Sequence, residues 1–323
     1  MRPLLKWAGG KRQLLPALRR CYPAAFDRYV EPFVGSGAVF FDLDAGGRLD
    51  GRRVRLADVN ADLIGCYRAV RDDPDAVIGA LRALEQEHRA RGADCFYDVR
   101  DGRFNPARAS LGARCGTHGA GMAAAYTPAL AAMFIYLNRT GYNGLFRLNR
   151  NGGFNVPAGR YTEPRICEPD HIRSVARALA RDRVVLHCGP FDEVLAGVGR
   201  GDFVYCDPPY APLSRTACFA HYTAGGFGPL DQRRLQTAVV AAARRGASVV
   251  VSNSSAPDIE AAYAAPEARA AGLTVQRVPA RRAINSLAAR RGPVDELVIT
   301  NAQTSGPLRM ARVDPARRRT KTA

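Results

Sequence analysis

Short apolar runs bounded by turn residues recur in two separate parts of the chain. Tyr29–Glu31 and Val54–Asp58 lie near its start, and Val184–Cys188, Phe203–Cys206, Ala247–Val251, Leu273–Val278 and Glu296–Thr300 lie in its second half. Runs of this length that do not alternate with polar residues predict strands buried on both faces of a sheet. Helical spacing fills the gaps: Leu14, Leu15 and Leu18, a start at Ala38-Val39-Phe40-Phe41, and the long stretch from Leu230 to Arg245. Alternation of the two periods predicts an α/β fold.

Between residues 62 and 163 the strand rhythm stops. Leu63–Val70, Ala76–Leu84 and Pro128–Arg139 read as helices, and 108–126, rich in Gly, Ala and Arg, reads as a flexible insertion. Leu145–Arg150 and Gly153–Pro157 flank Asn151-Gly152, a pair that predicts a hairpin. The sheet is therefore expected to be split, with 1–61 and 164–302 forming one domain and 62–163 an inserted helical and hairpin domain. Residues 303–323, dense in Arg, Pro and Thr, have the composition of a basic disordered tail.

The chain has 323 residues, 47% of them hydrophobic, enough for a full core. Its 47 Lys+Arg against 30 Asp+Glu leave a formal charge of +17, which favours a polyanionic partner such as nucleic acid over an acidic small molecule. The eight cysteines show no C-x-x-C spacing and are expected to be reduced and packed, with no metal site. No apolar stretch approaches the length of a signal peptide core or a membrane span, so a cytoplasmic protein is expected.

The candidate chemistry centres on Asp202-Phe203-Val204-Tyr205-Cys206-Asp207-Pro208-Pro209-Tyr210. An aspartate at the carboxyl end of a strand lies where open α/β sheets keep their sites. Two prolines then stop the strand, because proline has no N–H and fixes φ, and the turn can present carbonyl oxygens that no neighbouring strand claims. A carboxylate, a proline carbonyl and an aromatic ring suit a planar base with an exocyclic amine: Asp207 and Pro208 each accept one N–H, and Tyr210 stacks on the ring. Taken alone, the same residues also fit a plain strand end with a Pro-Pro turn.

Other motifs point the same way. Gly9-Gly10-Lys11 before a helix gathers backbone N–H groups and an ammonium, a site for a carboxylate or phosphate, with Trp7 beside it. Phe33-Val34-Gly35-Ser36-Gly37 follows a strand, where glycine lets the backbone approach a ligand. Asp58 ends the next strand 21 positions after Gly37, the spacing at which a carboxylate meets ribose hydroxyls. The hairpin carries Arg147, Asn149, Arg150 and Asn155, forks that read base edges or simply face solvent. A second basic loop, Arg281-Arg282 through Arg290-Arg291, suits phosphates or solvent.

The ordered set resembles the Dam-type DNA adenine methyltransferases of the α class from Leu5 to about Thr300. The resemblance rests on Leu4–Lys11, Val30–Gly37, Leu56–Asn60, Tyr136–Leu145, Phe154–Pro157 with Gly159-Arg160-Tyr161, and Tyr205–Leu213. It implies a Rossmann-like methyltransferase sheet with an inserted DNA target-recognition domain, S-adenosylmethionine as cofactor and double-stranded DNA as substrate. Trp7, Lys11, Phe33, Gly35, Gly37, Asp58 and Asp207 fall on cofactor positions, and Lys6, Tyr142, Asn143, Arg147, Pro157 and Arg160 on DNA-contacting ones. The implied target is adenine in GATC, methylated by a monomer without an obligate protein partner. The glycine-rich insertion and the basic tail depart from the family's pattern, and neither falls on a motif. A cytosine amine or a protein amide fits the same pocket chemistry. Asp207 in place of Asn, the basic charge and the hairpin argue against the amide. A catalytically silent DNA-binding homologue remains a rival, and a metal-dependent nuclease is disfavoured because no second carboxylate clusters beside Asp207 in the sequence.

Overall fold

The computed structural model describes residues 1–7, 9–115, 119–211, 227–281 and 293–302. Seven strands form one sheet: β1 (Arg28–Glu31), β2 (Arg53–Asp58), β3 (Val184–Cys188), β4 (Asp202–Cys206), β5 (Ser248–Ser254), β6 (Thr274–Arg281) and β7 (Pro293–Thr300), in the order β3-β2-β1-β4-β5-β7-β6. The first five pair in parallel, and β7 runs antiparallel between β5 and β6. Every residue of β4 is buried, which is why its run is apolar without alternation. All seven predicted strands are present.

The chain visits β1, β2 and β3 on one side and then returns to lay β4 against β1. At that reversal the loops leaving β1 and β4 diverge and leave a crevice at their carboxyl ends. The glycine turn and the Asp-Pro-Pro-Tyr turn are the two loops concerned.

The helices are α1 (Leu15–Leu18), α2 (Ala38–Ala45), α3 (Ala61–Asp72), α4 (Pro74–Arg91), α5 (Ala93–Tyr97), a π-helical stretch (Asp98–Phe104), α6 (Asn105–Cys115), α7 (Ala120–Ala124), α8 (Pro128–Thr140), α9 (Pro169–Leu179), α10 (Phe191–Leu195), α11 (Pro229–Arg244), α12 (Pro257–Tyr263) and α13 (Pro266–Ala270). Local signals start the longer ones. Asn60, Asp73 and Thr127 accept the N–H groups of Leu63, Ala76 and Leu130, and Pro74 and Pro128 open their helices, where a missing N–H costs nothing. One apolar cluster covers a face of the sheet through Tyr29, Leu56 and Phe203 and continues without a break into Phe96, Phe104, Phe134, Phe146 and Phe154 of the inserted region. A second cluster under α11 and α12 covers the other face.

Two expectations change. Residues 108–126 were expected to be flexible, yet their described part forms most of α6 and all of α7, and Arg108 is buried. Its guanidinium meets Asp62 at 2.8 Å, and Tyr126 adds a hydrogen bond to the same carboxylate. The Gly and Ala content masked a helix whose anchor is an ion pair 46 residues away. The hairpin turn also differs: Asn149 accepts from Gly152, Gly153 accepts from Asn149, and Gly152 takes φ +76°. It is a three-residue loop with Arg150 and Asn151 at its centre, and not a two-residue Asn-Gly turn. Its ladder is short, with one bridge between Leu148 and Phe154. The basic loop 282–292, the tail 303–323 and Cys218 lie outside the described residues. The other seven cysteines are free, five of them buried. Among the described residues no helix is long and apolar enough to cross a membrane.

Candidate active site and DNA-reading surface

β4 delivers Asp207 to the crevice. Its Oδ1 lies 2.9 Å from the Nζ of Lys11, a side chain only 4% exposed, and accepts a 2.9 Å hydrogen bond from Ser252. Ser252 in turn lies 3.0 Å from the Tyr205 hydroxyl. Burial raises the Asp207 pKa above the ordinary range, while the Lys11 ammonium and the Ser252 hydroxyl oppose the rise by favouring the charged form. Lys11 also donates to the Gly9 carbonyl and stands 4.5 Å from the centre of the Tyr210 ring. Tyr210 is fixed at its far end, where its hydroxyl donates to Glu296 at 2.7 Å.

The carbonyls of the turn are treated unequally. Pro209 accepts from Gln232 at 2.9 Å, itself held by Asn253, and Ala211 accepts from Ser254 at 2.8 Å. Among the described residues no donor takes the Pro208 carbonyl. Among the described residues an acceptor beside a carboxylate is thus left open, while the carbonyls of Pro209 and Ala211 further along the turn are occupied.

β1 delivers the other wall. Gly35 and Gly37 have φ of +46° and +67°, and a Cβ on Gly35 would stand 3.0 Å from Cδ1 of Trp7. Asp58 accepts from the Gly35 N–H at 3.2 Å and the Asn60 N–H at 3.0 Å, and burial pushes its pKa up to about 6 against those bonds. Glu31, fully buried, accepts from the Tyr29 hydroxyl at 2.8 Å, and its pKa is raised well above the ordinary value, chiefly by burial and also by the charges of Asp207 and Asp58. Phe33 stacks on Phe191 at 5.4 Å and meets Phe227 edge-on. Three carboxyl groups, one ammonium and an aromatic wall fit a ligand that is cationic at sulfur and amine and carries ribose hydroxyls and a purine. Trp7 has a second job: its ring stacks on Phe146 at 5.9 Å and joins the glycine turn to the inserted aromatic cluster.

The expected DNA contacts share one surface. Asn138 clamps the main chain of Lys6 from both sides, at 2.8 and 2.7 Å, and also donates to the Gly144 carbonyl. The Lys6 ammonium lies 4.1 Å from the centre of the Tyr161 ring. Tyr142 is 51% exposed, and Asn143 and Gly144 after it both take positive φ. A Cβ on Gly144 would stand 2.3 Å from that of Lys6, so only glycine permits this approach. Arg147 is exposed, with its Nε directed to Asn155 at 2.8 Å, and Pro157 and Arg160 are also exposed. Arg139, by contrast, is buried and bonds to the carbonyl of Ile166 at 2.7 Å.

Sequence reasoning missed Glu31, Ser252, Gln232 and Glu296 as parts of the crevice, and Asn138 as the clamp. Ser252-Asn253-Ser254 carries a legible signal, three polar residues ending an otherwise apolar strand. Gln232 and Glu296 carry none, because only the tertiary fold brings them to residues 209 and 210.

Residues 7–277 match the family model for D12 class N6 adenine-specific DNA methyltransferases. The chain belongs to this family. A type II methyltransferase of Lactococcus lactis subsp. cremoris, M1.LlaDCHI, is 33% identical over 305 residues, covering 93% of this chain and 95% of that protein. The DNA adenine methylase of Vibrio cholerae is 36% identical over 299 residues (92% and 95%), and that of Escherichia coli K12 is 35% identical over 297 residues (92% and 94%). This adenine-specific DNA methyltransferase uses S-adenosylmethionine as its methyl donor. Among the described residues no cluster of His, Cys, Asp or Glu could hold a metal ion.

Proposed function

We propose that this methyltransferase modifies the exocyclic amine of adenine within GATC in duplex DNA. The observation that carries the base chemistry is the open Pro208 carbonyl beside the Asp207 carboxylate. An adenine amine is a weak nucleophile because its lone pair is delocalised into the ring. Two acceptors that hold its hydrogens localise that lone pair, and Tyr210, braced by Glu296, stacks on the extruded base. S-adenosylmethionine, when bound, supplies a methyl group on a positively charged sulfur. The amine nitrogen forms the new N–C bond as the S–C bond breaks, and the surplus proton leaves to water. Asp207 favours the positive charge that develops on nitrogen. Asp58 binds the ribose hydroxyls; Gly35, Gly37, Phe33, Trp7 and Lys11 shape the remainder of the cofactor site.

The division of labour follows 1–61 with 164–302 for chemistry and 62–163 for target recognition, with α3 shared between them. Arg147 pairs with a guanine edge, Tyr142 wedges into the stack beside the extruded adenine, and Pro157 meets a thymine methyl. Lys6, Asn143 and Arg160 hold phosphates or the first base pair. One copy of the chain carries every group this requires, acting as a cytoplasmic monomer.

Expression in a host lacking GATC methylation tests the target directly. Plasmid from such cells is expected to resist a nuclease that is blocked by methylated GATC. Complete cutting, with a well-expressed protein that binds cofactor, would refute GATC, and modification-sensitive sequencing of the same DNA would then report which adenine site is used.

A further inference from the structure

The recognition hairpin is nearly a lone ribbon, and a two-stranded ribbon is marginal in water. Its inner edge is satisfied by its own first strand: Asn155 donates to the Arg147 carbonyl at 3.1 Å and Asn149 to the Gly153 carbonyl at 2.8 Å. The outer edge faces no strand. Backbone groups of alternate residues point the same way in an extended chain, so the outward groups belong to Gly152, Phe154 and Val156. Each is met by a side chain from the helical insertion. Arg108 donates to the Gly152 carbonyl, Asn105 accepts from the Phe154 N–H at 2.8 Å and donates to its carbonyl at 3.0 Å, and Arg100 donates to the Val156 carbonyl at 3.0 Å.

We propose that Arg100, Asn105 and Arg108 act together as a surrogate strand, positioning residues that set the register of the recognition hairpin and hence the sequence discrimination of the enzyme. Their spacing supports this. Residues five apart point to different sides of an α-helix, but Asp98–Phe104 is π-helical, and its wider turn brings Arg100 towards the side that presents Asn105, with Arg108 one α-turn further on. Both arginines have a second anchor, Arg108 on Asp62 and Arg100 on Asp101, so their forks are oriented before they reach the hairpin. Asn105 matches the peptide it faces, one donor and one acceptor against one of each, as a paired strand residue would. The inference rests on the reading of the hairpin as the base-contacting element.

The test compares kcat/KM for a duplex containing the wild-type enzyme's preferred site, found by modification-sensitive sequencing, with kcat/KM for duplexes changed at one base pair of that site. Asn105→Ala and Arg100→Met are measured beside Arg147→Ala, each with cofactor affinity read by calorimetry. The expected result is a loss of about tenfold or more in the ratio for Asn105→Ala, a smaller loss for Arg100→Met, and cofactor affinity near wild type. A merely structural role would lower activity on all duplexes alike and leave the ratio where it was. Unchanged ratios in both variants, with Arg147→Ala relaxed, would overturn the surrogate strand and leave the hairpin reading intact. Unchanged ratios in all three would remove the hairpin reading itself, and the surrogate strand with it.

Discussion

The crevice and the hairpin differ in which groups are held and which are left to face water. At the crevice the two groups that would meet the base are held by side chains, Asp207 by Lys11 and Ser252 and Tyr210 by Glu296, while Gln232 and Ser254 hold carbonyls of the turn. At the hairpin, side chains hold main chain, and Arg147, Pro157 and Arg160 face water. The difference fits the two tasks proposed for them. Methyl transfer needs a fixed constellation, since a small displacement of the acceptors costs rate, and ordered neighbours remove that freedom before the substrate arrives. On the proposed assignment, reading a duplex needs a fixed backbone path and side chains free to settle on base edges, and exposure leaves them that freedom.

This contrast can be broken at several points. The largest effect is expected from Arg108→Ala, which leaves Asp62 charged and buried without its guanidinium, a loss of about 3 to 5 kcal/mol in unfolding free energy. Urea titration showing a loss near zero would mean that the insertion is not an anchored part of the fold. Next comes Asp207→Ala, expected to lower the single-turnover methylation rate at saturating cofactor and DNA by about 10²- to 10³-fold, the cost of removing one well-placed polar group at developing charge. A rate near wild type would end its assignment.

Asp58 gives a pH-dependent test. Burial moves its pKa from 3.8 to about 6, so the fold prefers the neutral form. The stability this contributes is complete below about pH 4, the unfolded value, and is lost as pH rises through about 6. With Asp58→Asn as a reference that does not titrate, the cofactor-free wild type should become less stable relative to the variant by about 1 to 3 kcal/mol between pH 4 and 7.5. A flat difference in thermal unfolding across that range would contradict the burial of this carboxylate. The same variant should bind S-adenosylmethionine more weakly, because a charge-assisted bond to ribose is gone. The smallest effect is at the reading surface, where Arg147→Ala should cost about 1 to 3 kcal/mol of discrimination at one base pair and leave cofactor affinity unchanged. Weakening on all sequences alike would make this arginine a phosphate contact.

What was legible in the sequence was whatever rests on short-range pattern. Strand β4 and its Asp-Pro-Pro-Tyr turn announce themselves in nine residues, and the largely apolar stretch Pro128–Arg139 marks a helix that the structure places at Pro128–Thr140. The insertion was misread because its order comes from Arg108 reaching Asp62 and Gly152, partners no window of neighbouring residues contains. The braces Gln232 and Glu296 were missed for the same reason. Each sits on a different element and becomes relevant only once β5 pairs in parallel with β4 and β7 pairs antiparallel with β5.

Because every bond from Arg100, Asn105 and Arg108 to the hairpin ends on a peptide group, the identity of the hairpin's own outward-facing residues does not enter those bonds. On the proposed reading of the hairpin, mutational drift at Arg147, Arg150 or Asn155 would alter which bases are favoured while the ribbon stays seated, so new specificities would lie a few substitutions away without an unfolded ancestor between them. Transplanting the whole inserted region meets the opposite fate, since Phe134 and Phe146 are interior to a cluster that also contains Tyr29 and Phe203 of the sheet. For laboratory retargeting on that reading, the exposed side chains Arg147 and Arg150 are the positions to vary, because Phe146, Phe154 and Val156 of the ribbon belong to the same cluster.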